Sequence, residues 1–351
     1  MKPTRRSFER LLPLALALLL LLPGCGQNAA EKHEKQLFAM DTVMFLTAYG
    51  DSGDAALAAA TDVINDLARD LDPEERSGSV YAMNVGAGTA VAVSEDCYAV
   101  MTQAMPLGQV TDGALDIALY PVIRAWGFTT GQYRVPERSE LDELLAAKNS
   151  GAIRMDGAAR TVTLPAGVEV SLGAIAKGYA AQKATEAMAA AGAERAILSL
   201  GGNVQILGET RPDGTPWQVA VTDPRDTERY VGTLSVGQTA VVTSGGYQRY
   251  FEQDGQTYIH IIDPATGCPV DNGLLSVTVV TADGAVADGL STALFVMGER
   301  GALDFYDWAY DTVGGFELVL VTADGRVIVT AGLAEGFGET GDDYSYEYYP
   351  G

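Results

Sequence analysis

The segment from Val168 to Asn203 constrains the fold more than any other part of the chain. Val168 to Leu172 reads as a short strand. It feeds Gly173 and then a helix that runs to about Ala191. Ala196 to Leu200 follows as a buried strand ending in Gly201-Gly202-Asn203. A strand, a helix and a strand in such close succession rule out an all-helical or all-β chain. The rest extends the mixture. Asp54 to Leu71 places Leu57, Ala60, Ile64 and Leu67 on one helical face, and Asp72-Pro73 ends it. Asp96 to Leu107, with Ser94 as N-cap, and Ser139 to Lys148 read as helices, and so does Ala287 to Met297. Strands are expected at Val43 to Tyr49, Trp217 to Val221, Tyr230 to Leu234, Ala240 to Val242, Thr257 to Ile262 and Leu275 to Val280. Ile153 to Met155 with Thr161 to Leu164, and Phe316 to Val321 with Arg326 to Thr330, read as hairpins. The class is therefore α+β or mixed α/β. No GxGxxG and no Walker A loop is present, so neither standard nucleotide cradle is available.

The N-terminal end reads as an address. Lys2, Arg5, Arg6 and Arg10 precede a Leu/Ala run from Leu11 to Leu22, too short to span a bilayer comfortably. Leu22-Pro23-Gly24-Cys25 resembles a bacterial lipobox, whose cysteine becomes the lipidated first residue. Thr4-Arg5-Arg6-Ser7-Phe8 resembles a twin-arginine export signal, whereas Glu9 and the apolar run favour the general secretory route. The expected organisation is a signal peptide over 1–24, a lipidated tether over 25–36, a catalytic domain over 37–335 and a flexible acidic tail over 336–351. His33 falls in the tether, which leaves His260 as the histidine of the folded part. The protein is expected to be exported and held to the membrane through Cys25.

Charge excludes one class of partner. The net charge is −23, and no basic patch follows residue 10, so nucleic acid is not a partner. A polyanionic ligand would need a bound cation. Three cysteines give no disulfide framework, and two histidines exclude a histidine-rich zinc site.

Four segments carry chemistry, each with a plainer reading beside it. Ser171-Leu172-Gly173-Ala174-Ile175-Ala176-Lys177-Gly178 turns from strand to helix with a lysine in the first turns. It is either a phosphate cradle built on a helix N-terminus or a tight corner with a solvated lysine. In Ala287-Asp288-Gly289-Leu290-Ser291-Thr292, offsets of three and four put Asp288, Ser291 and Thr292 on one helical face. That is a hard-oxygen set suited to Mg²⁺, or else an acidic residue favoured by the helix dipole. Thr243 to Phe251 and Tyr258 to Pro269 frame a hairpin with Arg249 available for phosphate. His260 there is either a catalyst or a satisfied core residue. Thr111 to Ile117, followed by Trp126 and Phe128, offers a glycine turn for a flat ring, or a core turn with a buried tryptophan.

The order and wording of these segments resemble the ApbE family, the FAD:protein FMN transferases. The resemblance rests on Leu-Gly-Ala-Ile-Ala-Lys-Gly-Tyr from Leu172, Thr-Ser-Gly-x-Tyr-x-Arg around Tyr247, His-Ile-Ile-Asp-Pro-x-Thr-Gly-x-Pro from His260 and Ala-Asp-x-x-Ser-Thr-Ala from Ala287. It runs from Met40 to the last hairpin. It implies two coupled subdomains with the active site in the cleft between them. By position, Met40, Ala114, Leu115, Asp116, Ser171, Lys177 and Ile262 would contact FAD. The Ala174 carbonyl, Asp288 and the Thr292 hydroxyl would hold Mg²⁺, with Ser291 a further candidate. Lys177, Asp288 and His260 would carry the chemistry. Ser171 stands where the family commonly has aspartate, and Met83 where it has arginine. The implied reaction moves FMN from FAD to a Ser or Thr of a partner, releasing AMP. Family acceptors resemble Asp-x-x-Ser/Thr-Gly-Ala-Ser/Thr, a string absent here, so the acceptor would be another exported or membrane redox flavoprotein. Hydrolysis of FAD to FMN and AMP, and flavin binding without turnover, are the alternatives.

Overall fold

The computed structural model describes residues 30–351. The expected signal peptide, Cys25 and the first residues of the tether lie outside them. Glu31–Gly351 forms one compact unit. Its centre is a nine-stranded sheet whose strands lie side by side in chain order. They are β1 (Lys32–Ala39), β2 (Thr42–Tyr49), β3 (Arg195–Leu200), β4 (Asn203–Leu207), β5 (Ala240–Gly245), β6 (Leu274–Thr281), β7 (Glu317–Thr322), β8 (Arg326–Thr330) and β9 (Ser345–Tyr349). Each pair is antiparallel except β8 and β9, which run parallel.

Helices form around this sheet as the periodicity predicts. They are α1 (Gly53–Asp70), α2 (Ser79–Val85), α3 (Glu95–Val110), α4 (Tyr120–Ala125), α5 (Arg138–Ala147), α6 (Ala176–Ala190) and α7 (Gly284–Ala309). α1 buries Leu57, Ala60, Ile64 and Leu67, the stripe legible in the sequence. Each large side chain on that stripe contributes about 2 kcal/mol by leaving water. α1, α6 and α7 cover one face of the sheet in the largest apolar cluster. The other face is covered by strands Trp217–Asp223, Asp226–Val236 and Phe337–Glu339, through Trp217, Leu234 and Phe337. A third cluster joins α4 and α5 to Trp126, Phe251 and Ile262. Ser94 caps α3 as expected, accepting a 2.9 Å bond from the Cys97 amide.

Three expectations need correction. Val168 to Leu172 is extended but pairs with no strand. Instead the Asn84 side chain imitates one: its Nδ2 donates to the Val170 carbonyl at 2.9 Å and its Oδ1 accepts from the Val170 amide at 2.7 Å. Lys32–Ala39 is a full strand rather than tether, because its eight residues register against β2. His33 therefore belongs to the folded part, with its ring over Gly53 and its Nδ1 2.8 Å from Asp54. Residues 336–351 are not a loose tail. Phe337 and Tyr344 are buried, and the Tyr344 hydroxyl bonds Asp223, so the tyrosine-rich end supplies both apolar rings and paired hydroxyls. The helix expected to end at Met297 does end there: Gly298, with a φ of 77°, kinks the chain, and a second helical stretch follows to Ala309.

Candidate active site

The site begins where α6 and α7 cross. Gly178 and Gly284 face each other so closely that a Cβ on Gly178 would lie 2.0 Å from the Gly284 carbonyl oxygen. This approach brings Asp288, one turn along α7, onto the start of α6. α6 has no side-chain cap of its own, since Ile175 stands at the N-cap. Asp288 supplies the missing acceptor from the neighbouring helix, with the Gly178 amide donating to its Oδ2 at 2.9 Å. The other oxygen, Oδ1, faces the Lys177 ammonium at 3.9 Å. A buried carboxylate, a helix N-terminus and a lysine thus share one small volume. The structure brings together the two segments that the sequence offered separately.

The remaining oxygens sort themselves by their partners. Ser291 is fully buried; its hydroxyl donates to the Asp288 carbonyl at 3.0 Å and meets the Ser244 hydroxyl at 2.8 Å. Its proton and one of its lone pairs are engaged inside the protein, which makes it a poorer metal donor than Asp288 or Thr292. Thr292 is partly exposed, with its Oγ1 3.4 Å from Ser244. Ala174 precedes the N-cap Ile175, so its carbonyl stands outside the helical ladder and accepts no backbone hydrogen bond among the described residues. One carboxylate oxygen, one hydroxyl and one carbonyl therefore remain as hard-oxygen donors. Among the described residues no group of three His, Cys, Asp or Glu side chains is placed to hold a metal, so such a set is the only kind of cation site this corner can offer.

His260 stands just past the end of the hairpin formed by Tyr250–Gln253 and Gln256–Ile259. The Arg249 carbonyl accepts from its backbone amide at 3.0 Å and lies 3.1 Å from its Nδ1. A carbonyl can only accept, so Nδ1 carries the proton and Nε2 keeps its lone pair. Burial, reinforced by the nearby Lys177 and Arg249 charges, lowers its pKa from 6.5 to about 4. The imidazole is therefore neutral at pH 7 and able to accept a proton. Because the folded pKa is depressed, the unfolded chain binds more protons between pH 6.5 and 4. Stability is lost as pH falls through that window, by about 3 kcal/mol once complete. Urea unfolding of the wild type and a His260→Asn variant across this range should show the extra loss only in the wild type. Identical slopes would mean a solvated ring.

Arg249 extends the site to the sheet edge. Its Nη2 bonds Asp41 at 2.9 Å. Met40 and Asp41 form the turn between β1 and β2, both with positive φ, 47° and 59°. Such a turn favours Asn-Gly, so two ordinary side chains here hold strain of about 1 kcal/mol or more each. On the other side, the Ser171 amide donates to the Ile117 carbonyl at 2.9 Å, joining the strand-to-helix corner to the 114–116 turn. Leu115 packs within reach of Gly289 on α7, while Ala114 is partly buried beside it. Asp116 caps its own turn through Ala118 and pairs with Lys148 at 3.2 Å, and Lys148 reaches the Pro264 carbonyl. Ile262 buries its side chain in the third cluster. Its bridge to Pro269 is made by the amides of Val270 and Asp263, which leaves its own backbone groups to a ligand.

Some expectations dissolve. Trp126 is a core residue whose Nε1 donates to the Gly267 carbonyl at 2.7 Å, not a platform for a ring. A cleft of about 930 Å³, lined by Trp126, Tyr250, Tyr258 and Ile259 among others, includes none of Lys177, His260, Asp288 or Thr292 in its lining. The residues that sequence reasoning missed are Gly178 and Gly284 as a crossing, Lys148 as a bridge and Arg249 as the tie between His260 and Asp41. The small residues near Gly178 and Gly284 were the available signal for the first.

The profile of the ApbE family matches residues 40–314. The FAD:protein FMN transferase of Vibrio cholerae is 32% identical over 296 residues, covering 82% of this chain and 87% of that protein. The one from Treponema pallidum is 30% identical over 333 residues, covering 89% and 91%. The crystal structure of the ApbE protein from Thermotoga maritima superposes with a TM-score of 0.80 at 30% identity, covering 87% of this chain and 99% of that one. The flavin transferase ApbE from Vibrio cholerae gives 0.75 at 27%, covering 88% and 99%. With a family profile over most of its length and a shared fold, this chain belongs to the ApbE family.

Proposed function

We propose that this chain is an Mg²⁺-dependent FAD:protein FMN transferase. The observation that carries the reading is the meeting of Lys177 and Asp288 at the N-terminus of α6, with the His260 imidazole near enough to feel the Lys177 charge. In a chain of net charge −23, a lysine, an arginine and a helix N-terminus gathered around a neutral histidine suit an anionic diphosphate. Asp288 Oδ1, the Thr292 hydroxyl and the Ala174 carbonyl would hold Mg²⁺. When bound, it would supply positive charge against the phosphate oxygens as negative charge builds on them.

The protein's own groups do the rest by positioning. Lys177 and the α6 amides hold the diphosphate of FAD in place. His260 Nε2 takes the proton from the acceptor hydroxyl. That oxygen bonds to the phosphorus of the FMN half, the bond from this phosphorus to the bridging oxygen breaks, and AMP leaves with the bridging oxygen. The product is a phosphoester between FMN and a Ser or Thr of the partner. Met40, the 114–116 turn, Ser171 and the Ile262 backbone would bind the rest of FAD. The acceptor is proposed to be an exported or membrane redox flavoprotein. The lipobox-like Cys25 would hold enzyme and acceptor at one membrane surface, outside the cytoplasm.

The test uses the chain without its first 25 residues, FAD and Mg²⁺, with and without a peptide carrying Asp-x-x-Thr-Gly-Ala-Thr. The expected result is AMP release with a peptide mass gain equal to FMN, both abolished by chelation. Free FMN and AMP with the peptide unmodified would replace transfer by hydrolysis. FAD bound without AMP release would leave a flavin carrier.

A further inference from the structure

β1 is the first strand of the main sheet and, among the described residues, has no strand neighbour on its outer side. Its first half carries Lys32, Glu34 and Lys35, the kind of charged side chains that keep another strand from pairing with an open edge. Its second half, Gln36-Leu37-Phe38-Ala39, carries no charge. On the outward face of the β1–β2 hairpin Phe38 lies opposite Val43, and Gln36 opposite Phe45. Phe38 is 69% exposed, Val43 43% and Phe45 55%. The inward face, with Ala39, Met44 and Leu46, is buried, so the hairpin's own packing does not require these outward groups. A contiguous apolar patch beside an uncharged open edge is a recognition surface rather than a packing residue of the fold.

Its place decides what it recognises. The patch ends at the Met40-Asp41 turn, Asp41 holds Arg249, and the Arg249 carbonyl orients His260. A body seated on Phe38 and Phe45 is therefore at the rim of the active site. We infer that the uncharged half of β1 and the face carrying Phe38, Val43 and Phe45 form the docking surface for the acceptor protein. This rests on the transferase reading above. An enzyme whose second substrate is a protein must hold that protein while its hydroxyl reaches the phosphorus. An extended acceptor segment can pair with Gln36 to Ala39 as an added strand and lay apolar side chains on the patch. The same run of chain then carries its hydroxyl past the turn toward His260. A second copy of this chain on the same edge would instead close the mouth of the site.

The experiment compares the wild type with F38S/F45S, using the chain without its first 25 residues. Both substitutions are in exposed positions, and unfolding curves confirm that the variant folds. Three quantities are read: AMP release from FAD alone, FAD affinity, and FMN transfer to an exported flavoprotein domain bearing the Asp-x-x-Thr-Gly-Ala-Thr string. The expected result is a tenfold or greater rise in KM for the acceptor domain, with FAD affinity and kcat at saturating acceptor unchanged. An acceptor KM untouched by F38S/F45S, while the wild type transfers FMN, overturns the docking surface alone. If in addition the wild type is a dimer and the variant a monomer, the face belongs to a second copy. If the variant instead loses binding to phospholipid vesicles, it belongs to a lipid surface. A wild type that releases no AMP under any condition overturns the transferase reading and the docking surface with it.

Discussion

Asp288→Ala should lower AMP release from FAD about a thousandfold, while Ser291→Ala, three residues along the same helix, should stay within about tenfold of wild type. The difference follows from where each oxygen points. Asp288 brings the buried negative charge of the site, with Oδ1 open toward Lys177. Ser291 spends its hydroxyl on the Asp288 carbonyl and on Ser244. Removing it leaves Ser244 short of a partner, at a cost of about 1 kcal/mol in stability, and leaves the chemistry in place. Asp288→Ala also strips α6 of its cap, at about 1–2 kcal/mol. Asp288→Asn separates the two roles, because an amide oxygen can still accept from the Gly178 amide but brings no charge. It should unfold near the wild-type denaturant midpoint and still lose most of its activity. Turnover and urea midpoints of the three variants check this. Equal losses for Asp288→Ala and Ser291→Ala would move the oxygen site elsewhere.

The sequence showed the face on which Asp288 and Thr292 meet because helical spacing is a local rule. It could not show that Asp288 caps a second helix, since that contact joins residues far apart in the chain. The α1 stripe was legible for the reason Asp288's face was. Val168 to Leu172 was misread because its partner is the Asn84 side chain, which no strand pattern announces. The C-terminal strands were misread because Gly, Asp and Tyr resemble a solvated tail until Tyr344 finds Asp223. His33 was set aside as tether, although β1 carries it against Gly53. In each case a long-range partner decided the outcome. Arg249 was legible as a phosphate-binding candidate, but its carbonyl's hold on His260 was not.

Gly178→Ala should be the most damaging single methyl in the chain's catalytic half. In an ordinary exposed helix, replacing glycine with alanine stabilises by about 1 kcal/mol. Here the added Cβ would sit 2.0 Å from the Gly284 carbonyl oxygen and 2.6 Å from the Asp288 Cβ. Both obstacles are tied to the α7 backbone and cannot swing aside as the tip of a long side chain would. The two helices must separate, and each already packs against the main sheet. The expected cost is roughly 3 kcal/mol or more, opposite in sign to the propensity gain. Separation also pulls Asp288 away from the Gly178 amide, so the fraction that still folds should turn over about a hundredfold more slowly. Gly284→Ala should behave alike, since its Cβ would meet the Gly178 carbonyl oxygen at 2.7 Å. Gly173→Ala is the control: its nearest neighbour would be Ser171 Oγ at 3.4 Å, an ordinary contact. Thermal unfolding and AMP release of the three variants give the test. A stable, active Gly178→Ala would mean that the helices can part without cost, and that the approach of α6 to α7 is not what sets Asp288 in place.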